Sequence, residues 1–185
     1  MVDKQYICIG SFEQTIGTII ISDPSYSPSS KHFLGIAGEI KNVKPGTYYA
    51  VIEVIKSEKR NAALYIFHED YFSAKKGILS AKTFSEIYEQ FNYKTTKKQN
   101  ISVDAGMAGF YDKKFFEGYD NLEWYEDVVD HILKNPKRAL ILPYGVISDS
   151  GYGDGSYDYF TAKIDGKVVS AFVWFICDEE DEDEE

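Results

Sequence analysis

Apolar residues recur at every second position over most of this 185-residue chain, a spacing typical of β-strands rather than helices. In residues 47–56 both alternating sets are largely apolar, which favours a strand covered on both of its faces. Residues 61–67 are predicted to form an antiparallel partner for it. Two more strands are predicted at 5–9 and 15–21, with a turn at 10–14 between them. The chain is therefore expected to fold around antiparallel strands.

The last third of the sequence carries the clearest local signal, which is that of a β-hairpin. Residues 156–164 and 167–176 are strand-like and are joined by Asp165-Gly166. This dipeptide readily adopts the positive φ angles that a two-residue hairpin turn requires. Residues 139–148 are a further strand candidate, bent or broken by an internal proline and glycine.

Two segments follow the helical spacing instead. Apolar residues at 84, 87, 88 and 91 form the stripe of an amphipathic helix, and Thr83 with Glu86 fits a capping box at its start. A second helix is predicted over residues 121–135, capped by Asp120 and ended by Pro136. These patterns predict an α+β domain, mainly an antiparallel β-sheet, barrel or sandwich, with two helices and a C-terminal β-hairpin.

Composition predicts one domain followed by a short tail. Hydrophobic residues make up 44% of the chain and aromatic residues 16%, enough for a single core without metals or disulfides. The last eight residues, 178–185, are all acidic and are predicted to be disordered, because like charges repel and stay solvated. Residues 1–177 are predicted to form the α+β domain. Without the tail, 20 basic residues stand against 22 acidic ones, so the tail carries most of the net charge of −10.

Several classes of partner are disfavoured by the same sequence. Nucleic-acid binding needs a basic surface, which this chain lacks overall. The longest apolar run, residues 171–177, is far shorter than the roughly 20 residues that span a bilayer, and no signal-peptide pattern opens the chain. We therefore expect a cytoplasmic, soluble protein that binds neither nucleic acid nor membrane. Cys8 and Cys177 are predicted to be reduced thiols buried in strands.

Three loop segments rich in Asp, Gly, Ser and Tyr are the candidate site. They cover residues 22–26, 103–112 and 148–158, and each adjoins a predicted strand. Tyrosines can line a pocket or pack within a sheet, and aspartates beside glycines can form turns, so binding and purely structural roles both remain open. The residues predicted to bind a ligand are Asp23, Ser25, Tyr26, Asp104, Gly106, Tyr152, Gly153, Asp154, Gly155, Ser156 and Tyr157.

These same motifs carry a family resemblance. The Gly-Asp-Gly-Ser-Tyr stretch at 153–157, the Val-Asp-Ala-Gly at 103–106 and the Ser-Asp-Pro at 22–24 resemble the bacterial and phage family called domain of unknown function 4241. The resemblance covers residues 17–175 in order, and residues 150–153 stand where the family often has Ser-Gly-Trp. It implies common ancestry and a β-rich fold but no established activity. The acidic tail lies outside the family's pattern.

Patterns of nucleophilic catalysis are absent from the sequence. No serine lies in a Gly-x-Ser-x-Gly motif, and no phosphate-binding loop is present. His32 is predicted to lie in a loop, His68 in an exposed turn and His131 on a helix surface. No catalytic residue, cofactor or resident metal is predicted, and an enzyme is the less favoured interpretation.

The favoured function is a non-enzymatic binding protein, whose partner is a protein or a small molecule held by the three loops. A bacterial or phage immunity or anti-defence protein is one setting that its size and acidity would suit. One alternative is a metal-assisted hydrolase in which Asp104, Asp154 and Asp158 hold a divalent cation, with Asp23 close by. Another is a structural subunit. The sequence leaves the oligomeric state open.

Overall fold

The computed structural model describes residues 3–93, 99–119 and 121–177, which form two antiparallel sheets packed face to face. The α+β fold built mainly from antiparallel strands is confirmed. The helices are α1 (Phe33–Ile36), α2 (Ala81–Tyr88), α3 (Lys113–Phe116) and α4 (Leu122–Lys134). The strands are β1 (Lys4–Gln14), β2 (Thr18–Ser22), β3 (Gly38–Lys41), β4 (Gly46–Ile55), β5 (Arg60–His68), β6 (Gly77–Leu79), β7 (Gln99–Val103), β8 (Met107–Asp112), β9 (Ala139–Leu142), β10 (Gly145–Asp149), β11 (Gly155–Ile164) and β12 (Lys167–Trp174).

The larger sheet has the strand order β6-β1-β4-β5-β12-β11-β7, and the smaller has the order β3-β2-β8-β10-β9. The predicted C-terminal hairpin is present as β11 and β12. Its turn residues Asp165 and Gly166 have φ angles of 51° and 76°, as a primed turn requires. The predicted pairing of residues 47–56 with 61–67 is present as β4 and β5.

The core lies in three layers. Between the sheets, buried side chains of β1, β4 and β5 meet those of β2, β8 and β10. The outer face of the larger sheet is covered by α2 and by aromatic side chains before and after it. The outer face of the smaller sheet is covered by α1, α3 and α4. Strand β4 places Tyr48 and Ile52 in the first layer and Val51 in the second, so the prediction that both its faces are covered is confirmed.

Strand β1 continues through the turn predicted at residues 10–14, so that prediction was wrong. Its pairing with β4 shifts register between Cys8 and Gly10, and Gly10 has a φ of 138°. The glycine therefore marks a β-bulge, which lets a strand bend and continue without ending. The chain reverses instead before β2, which begins at Thr18.

Helix α2 begins earlier than its predicted capping box. Ser80 is the N-cap, and its hydroxyl accepts a hydrogen bond of 3.0 Å from the backbone N–H of Thr83. Thr83 was predicted to be the cap and is instead the third helical residue. Phe84 and Ile87 are buried, as the predicted stripe requires.

Helix α4 is capped by Asn121, whose side chain accepts a 2.7 Å hydrogen bond from the backbone N–H of Trp124. The predicted cap, Asp120, lies outside the described residues. The helical spacing predicts an apolar face of Leu122, Tyr125, Val129, Ile132 and Leu133, and this is only partly correct. Ile132 is buried together with Val128, which the prediction left out, whereas Leu122 and Leu133 are 70% and 57% exposed at the two ends of the helix.

The prediction that both cysteines are buried in strands is correct for Cys8 and wrong for Cys177. Cys8 is buried in β1, but Cys177 is exposed after the end of β12. Strands β4 and β5 lie between β1 and β12, so the two thiols are not on neighbouring strands. The predicted acidic tail, 178–185, lies outside the described residues. Within the part of the chain that the structure covers, the helices are too short or too polar to cross a bilayer.

Candidate functional site

The topology brings the three predicted loops to one end of the sandwich. Strand β2 ends at this edge, and the β7–β8 and β10–β11 connections both turn there. Register confirms the placement, because Val103 pairs with Gly155 in the larger sheet and Asp149 pairs with Met107 in the smaller. We call residues 22–26, 103–106 and 150–157 the loop cluster.

A buried carboxylate joins the first two loops of this cluster. Asp23 has no exposed surface. One of its oxygens accepts a 2.7 Å hydrogen bond from the backbone N–H of Ser25. The other accepts from the backbone N–H groups of Asp104 and Ala105, at 2.8 and 2.7 Å. Charge-assisted hydrogen bonds of this kind are stronger than neutral ones, so Asp23 firmly links two segments that are far apart in sequence.

A second set of hydrogen bonds attaches the third loop. The backbone N–H of Ser150 donates to the carbonyl of Gly106 at 2.9 Å. The Ser150 hydroxyl and the Tyr157 hydroxyl both donate to the carbonyl of Gly153, at 2.7 and 2.6 Å. A Cβ built on Gly106 would lie 3.5 Å from the Cα of Gly153, so the two glycine loops are in direct contact. Ser150 is fully buried and was not among the predicted site residues.

Several other residues of the loop cluster face solvent. Tyr26 is partly buried beside them, near the carboxylate of Asp104. Burial, the interaction of its hydroxyl with Asp104, and the nearby charges of Asp23 and Asp154 raise the pKa of Tyr26. The electrostatic potential at the cluster is therefore negative. Its exposed residues are Ser25, Asp104, Tyr152, Asp154, Gly155 and Ser156.

Tyr152 lies apart from the other predicted site residues. Its side chain is 62% exposed, and its hydroxyl donates to a Glu58 carboxylate oxygen at 2.9 Å. The Arg60 guanidinium lies 5.0 Å from the centre of its ring. Tyr152 therefore faces the β4–β5 turn rather than the aspartates of the loop cluster.

The described residues give the metal-assisted hydrolase no support. Both oxygens of Asp23 are occupied by backbone N–H groups. Asp112, in the same segment as Asp104, caps α3 through Lys114 and accepts a 2.9 Å hydrogen bond from the Thr15 hydroxyl. Across residues 3–93, 99–119 and 121–177, no group of three or more His, Cys, Asp or Glu side chains is placed to hold a metal ion.

His68 was predicted to lie in an exposed turn, and this was wrong. It is 2% exposed, and its Nε2 lies 3.0 Å from the carbonyl of Pro45. Its Nδ1 accepts a 3.2 Å hydrogen bond from the backbone N–H of Asp70. Both ring nitrogens therefore hold loops at the opposite end of β5. His131 is exposed on α4, as predicted.

No family model, no curated protein and no solved structure matches this chain. The resemblance to the family called domain of unknown function 4241 stays a prediction.

Proposed function

We propose that this protein is a non-enzymatic binding domain that holds a positively charged protein partner on the loop cluster. The observation that carries the proposal is that the residues of the loop cluster have two separate roles. Asp23, Ser150 and Tyr157 hold the backbone of the three loops, while Asp104 and Asp154 face solvent on that backbone.

Rigidity favours binding because a surface ordered in advance loses less conformational entropy when a partner docks. The loops are tied by hydrogen bonds between separate segments and sit on the ends of paired strands. Functional residues on connections held by a rigid scaffold are a common arrangement in binding proteins.

Charge indicates the kind of partner. Asp104 and Asp154 are exposed, and together with buried Asp23 they raise the pKa of Tyr26. A partner that presents Lys or Arg would complement these carboxylates and could pack its side chains on the tyrosine ring. The body of the chain is close to neutral, so this negative field is local.

The test is a selection from a random peptide display library on the immobilised protein, followed by affinity measurements. Selected peptides should be enriched in Lys, Arg and aromatic residues. Asp154→Asn should weaken their binding by about fivefold, the size expected for one exposed charge pair.

Asp165→Asn is the matched control. Asp165 is also an exposed aspartate before a glycine, but it lies at the other end of β11, and Asn-Gly suits its turn equally well. Both variants keep the acidic tail, so any attraction to the tail cancels. Equal affinities of the two variants, or selected peptides without cationic enrichment, would contradict the proposal.

A further inference from the structure

A second feature at the same end of the sandwich is a cleft of about 240 Å³ at the seam between the two sheets. Its apolar lining includes Ile7 of β1 and Val54 of β4, and its polar lining includes Gln5 and Asn61. Three lysines line it: Lys56 and Lys59 in the β4–β5 turn region, and Lys137 before β9. Lys137 is remote in sequence from the other two, so the spacing of charges along the chain does not indicate the cleft.

The wall that carries Lys137 is held in place by a buried amide. Asn61 is 3% exposed, and its Nδ2 donates to the carbonyls of Lys137 and Arg138 at 3.0 and 3.3 Å. The same nitrogen lies 2.9 Å from the Ser148 hydroxyl of β10. The cleft is therefore bounded by backbone that is fixed to both sheets.

Lys59 occupies an unfavourable backbone conformation. Its φ is 55°, in the left-handed region that glycine adopts at far lower cost. The turn would therefore form at lower cost with glycine at this position.

The positive charge in the cleft is only partly compensated. Lys56 pairs with the exposed carboxylate of Asp3 at 2.8 Å. Among the residues that the structure describes, no carboxylate forms an ion pair with Lys59 or Lys137, and none lines the cleft. Glu58 of the same turn is engaged by Arg60 and by the Tyr152 hydroxyl. A local excess of positive charge thus stands on a chain with a net charge of −10.

We propose that this cleft binds a small phosphate-bearing molecule, with Lys59 and Lys137 contacting the phosphate and Ile7 and Val54 contacting an apolar portion. Lysine ammonium groups bind phosphate as point charges, and Ile7 and Val54 offer apolar surface beside them. The cleft volume suits a ligand smaller than a typical drug-sized molecule. This proposal is independent of the loop cluster.

The experiment is a calorimetric titration of the full chain with inorganic pyrophosphate, repeated by following backbone amide shifts in NMR spectra. Wild type should bind, more weakly as salt rises, with shifts centred on Lys59, Asn61 and Lys137. Lys59→Gly combined with Lys137→Met should weaken binding by about tenfold. Lys59→Gly alone should also weaken binding, yet raise the thermal midpoint, because glycine relieves the positive φ.

Lys163→Met combined with Lys167→Met removes two exposed lysines at the far end of β11 and β12 and is the matched control. It should bind pyrophosphate as wild type does. An absence of binding to wild type, equal weakening by the two double variants, or amide shifts away from the cleft would overturn the proposal. Because Asp154→Asn leaves the cleft intact, failure at the loop cluster and failure here are distinguishable.

Discussion

The carboxylate of Asp23 accepts a hydrogen bond from the backbone N–H of Asp104 at 2.8 Å, across 81 positions of sequence. This contact fixes the end of β2 against the β7–β8 connection, which spans the two sheets. It also orients Asp104 outward, beside Tyr26. One buried acid thus determines where an exposed acid is presented.

Asp23→Asn is expected to destabilise the fold by about 2–4 kcal/mol, because an amide N–H₂ would face backbone donors that now point at a carboxylate. Asp104→Asn removes an exposed charge and should change stability by less than about 0.5 kcal/mol. Urea denaturation of both variants measures the difference. Similar losses of stability in the two variants would show that the hydrogen bonds accepted by Asp23 do not stabilise the fold.

Alanine at Gly151 should be far more destabilising than alanine at Gly166. Both glycines have positive φ, 69° and 76°, so both substitutions strain the backbone. A Cβ at Gly151 would lie 2.8 Å from the carbonyl oxygen of Asn61, whereas nothing lies within 4 Å of one at Gly166.

We expect a loss of about 1 kcal/mol for Gly166→Ala and about 3 kcal/mol or more for Gly151→Ala. Thermal and chemical denaturation of the pair provide the measurement. Equal losses would mean that the third loop does not pack against β5.

Arg138→Met should destabilise the protein more at neutral pH than in mild acid. Burial raises the pKa of Asp149, and the ion pair with Arg138 at 3.2 Å partly offsets this. A carboxyl with a raised folded-state pKa binds its proton more tightly when folded, so stability falls as pH rises through that range. In Arg138→Met the decrease of stability with rising pH should be steeper and should extend to higher pH.

Thermal midpoints from about pH 4 to about pH 7 test this, with Arg138→Met combined with Asp149→Asn as the control. The control should remove the extra pH dependence. If the difference in thermal midpoint between Arg138→Met and wild type is the same at every pH, Arg138 does not influence the titration of Asp149.

One of the two thiols should react with a disulfide reagent much faster than the other. Cys177 is exposed, whereas Cys8 is buried in β1 and its burial raises the pKa of the thiol. Thiolate is the reactive form, so Cys8 should react at the rate of unfolding or local opening. Cys177→Ser should abolish the fast phase, and two fast phases in wild type would contradict the structure.

Local chemistry explains which parts of the fold could be predicted from the sequence. The β11–β12 hairpin follows from Asp165-Gly166, and β4 follows from two apolar alternating faces. The three loops could be grouped from the sequence, because they share a composition rich in Asp, Gly, Ser and Tyr and each adjoins a predicted strand. Their part in binding stays a prediction.

Tertiary contacts explain the errors. His68 is buried because its ring nitrogens lie near the carbonyl of Pro45 and the N–H of Asp70, and only the first of these is remote in sequence. Leu133 has the helical spacing of a core residue, but it is 57% exposed at the end of α4. Neither outcome is encoded in a local pattern.

Amide shift mapping by NMR, with a cationic peptide from the display selection, tests the central claim most directly. The proposal predicts that the largest shifts fall on Tyr26, Asp104, Gly106, Gly153 and Asp154, and that they shrink in Asp154→Asn but not in Asp165→Asn. Shifts that leave these five amides unmoved and fall instead on α2 or α4 would contradict it.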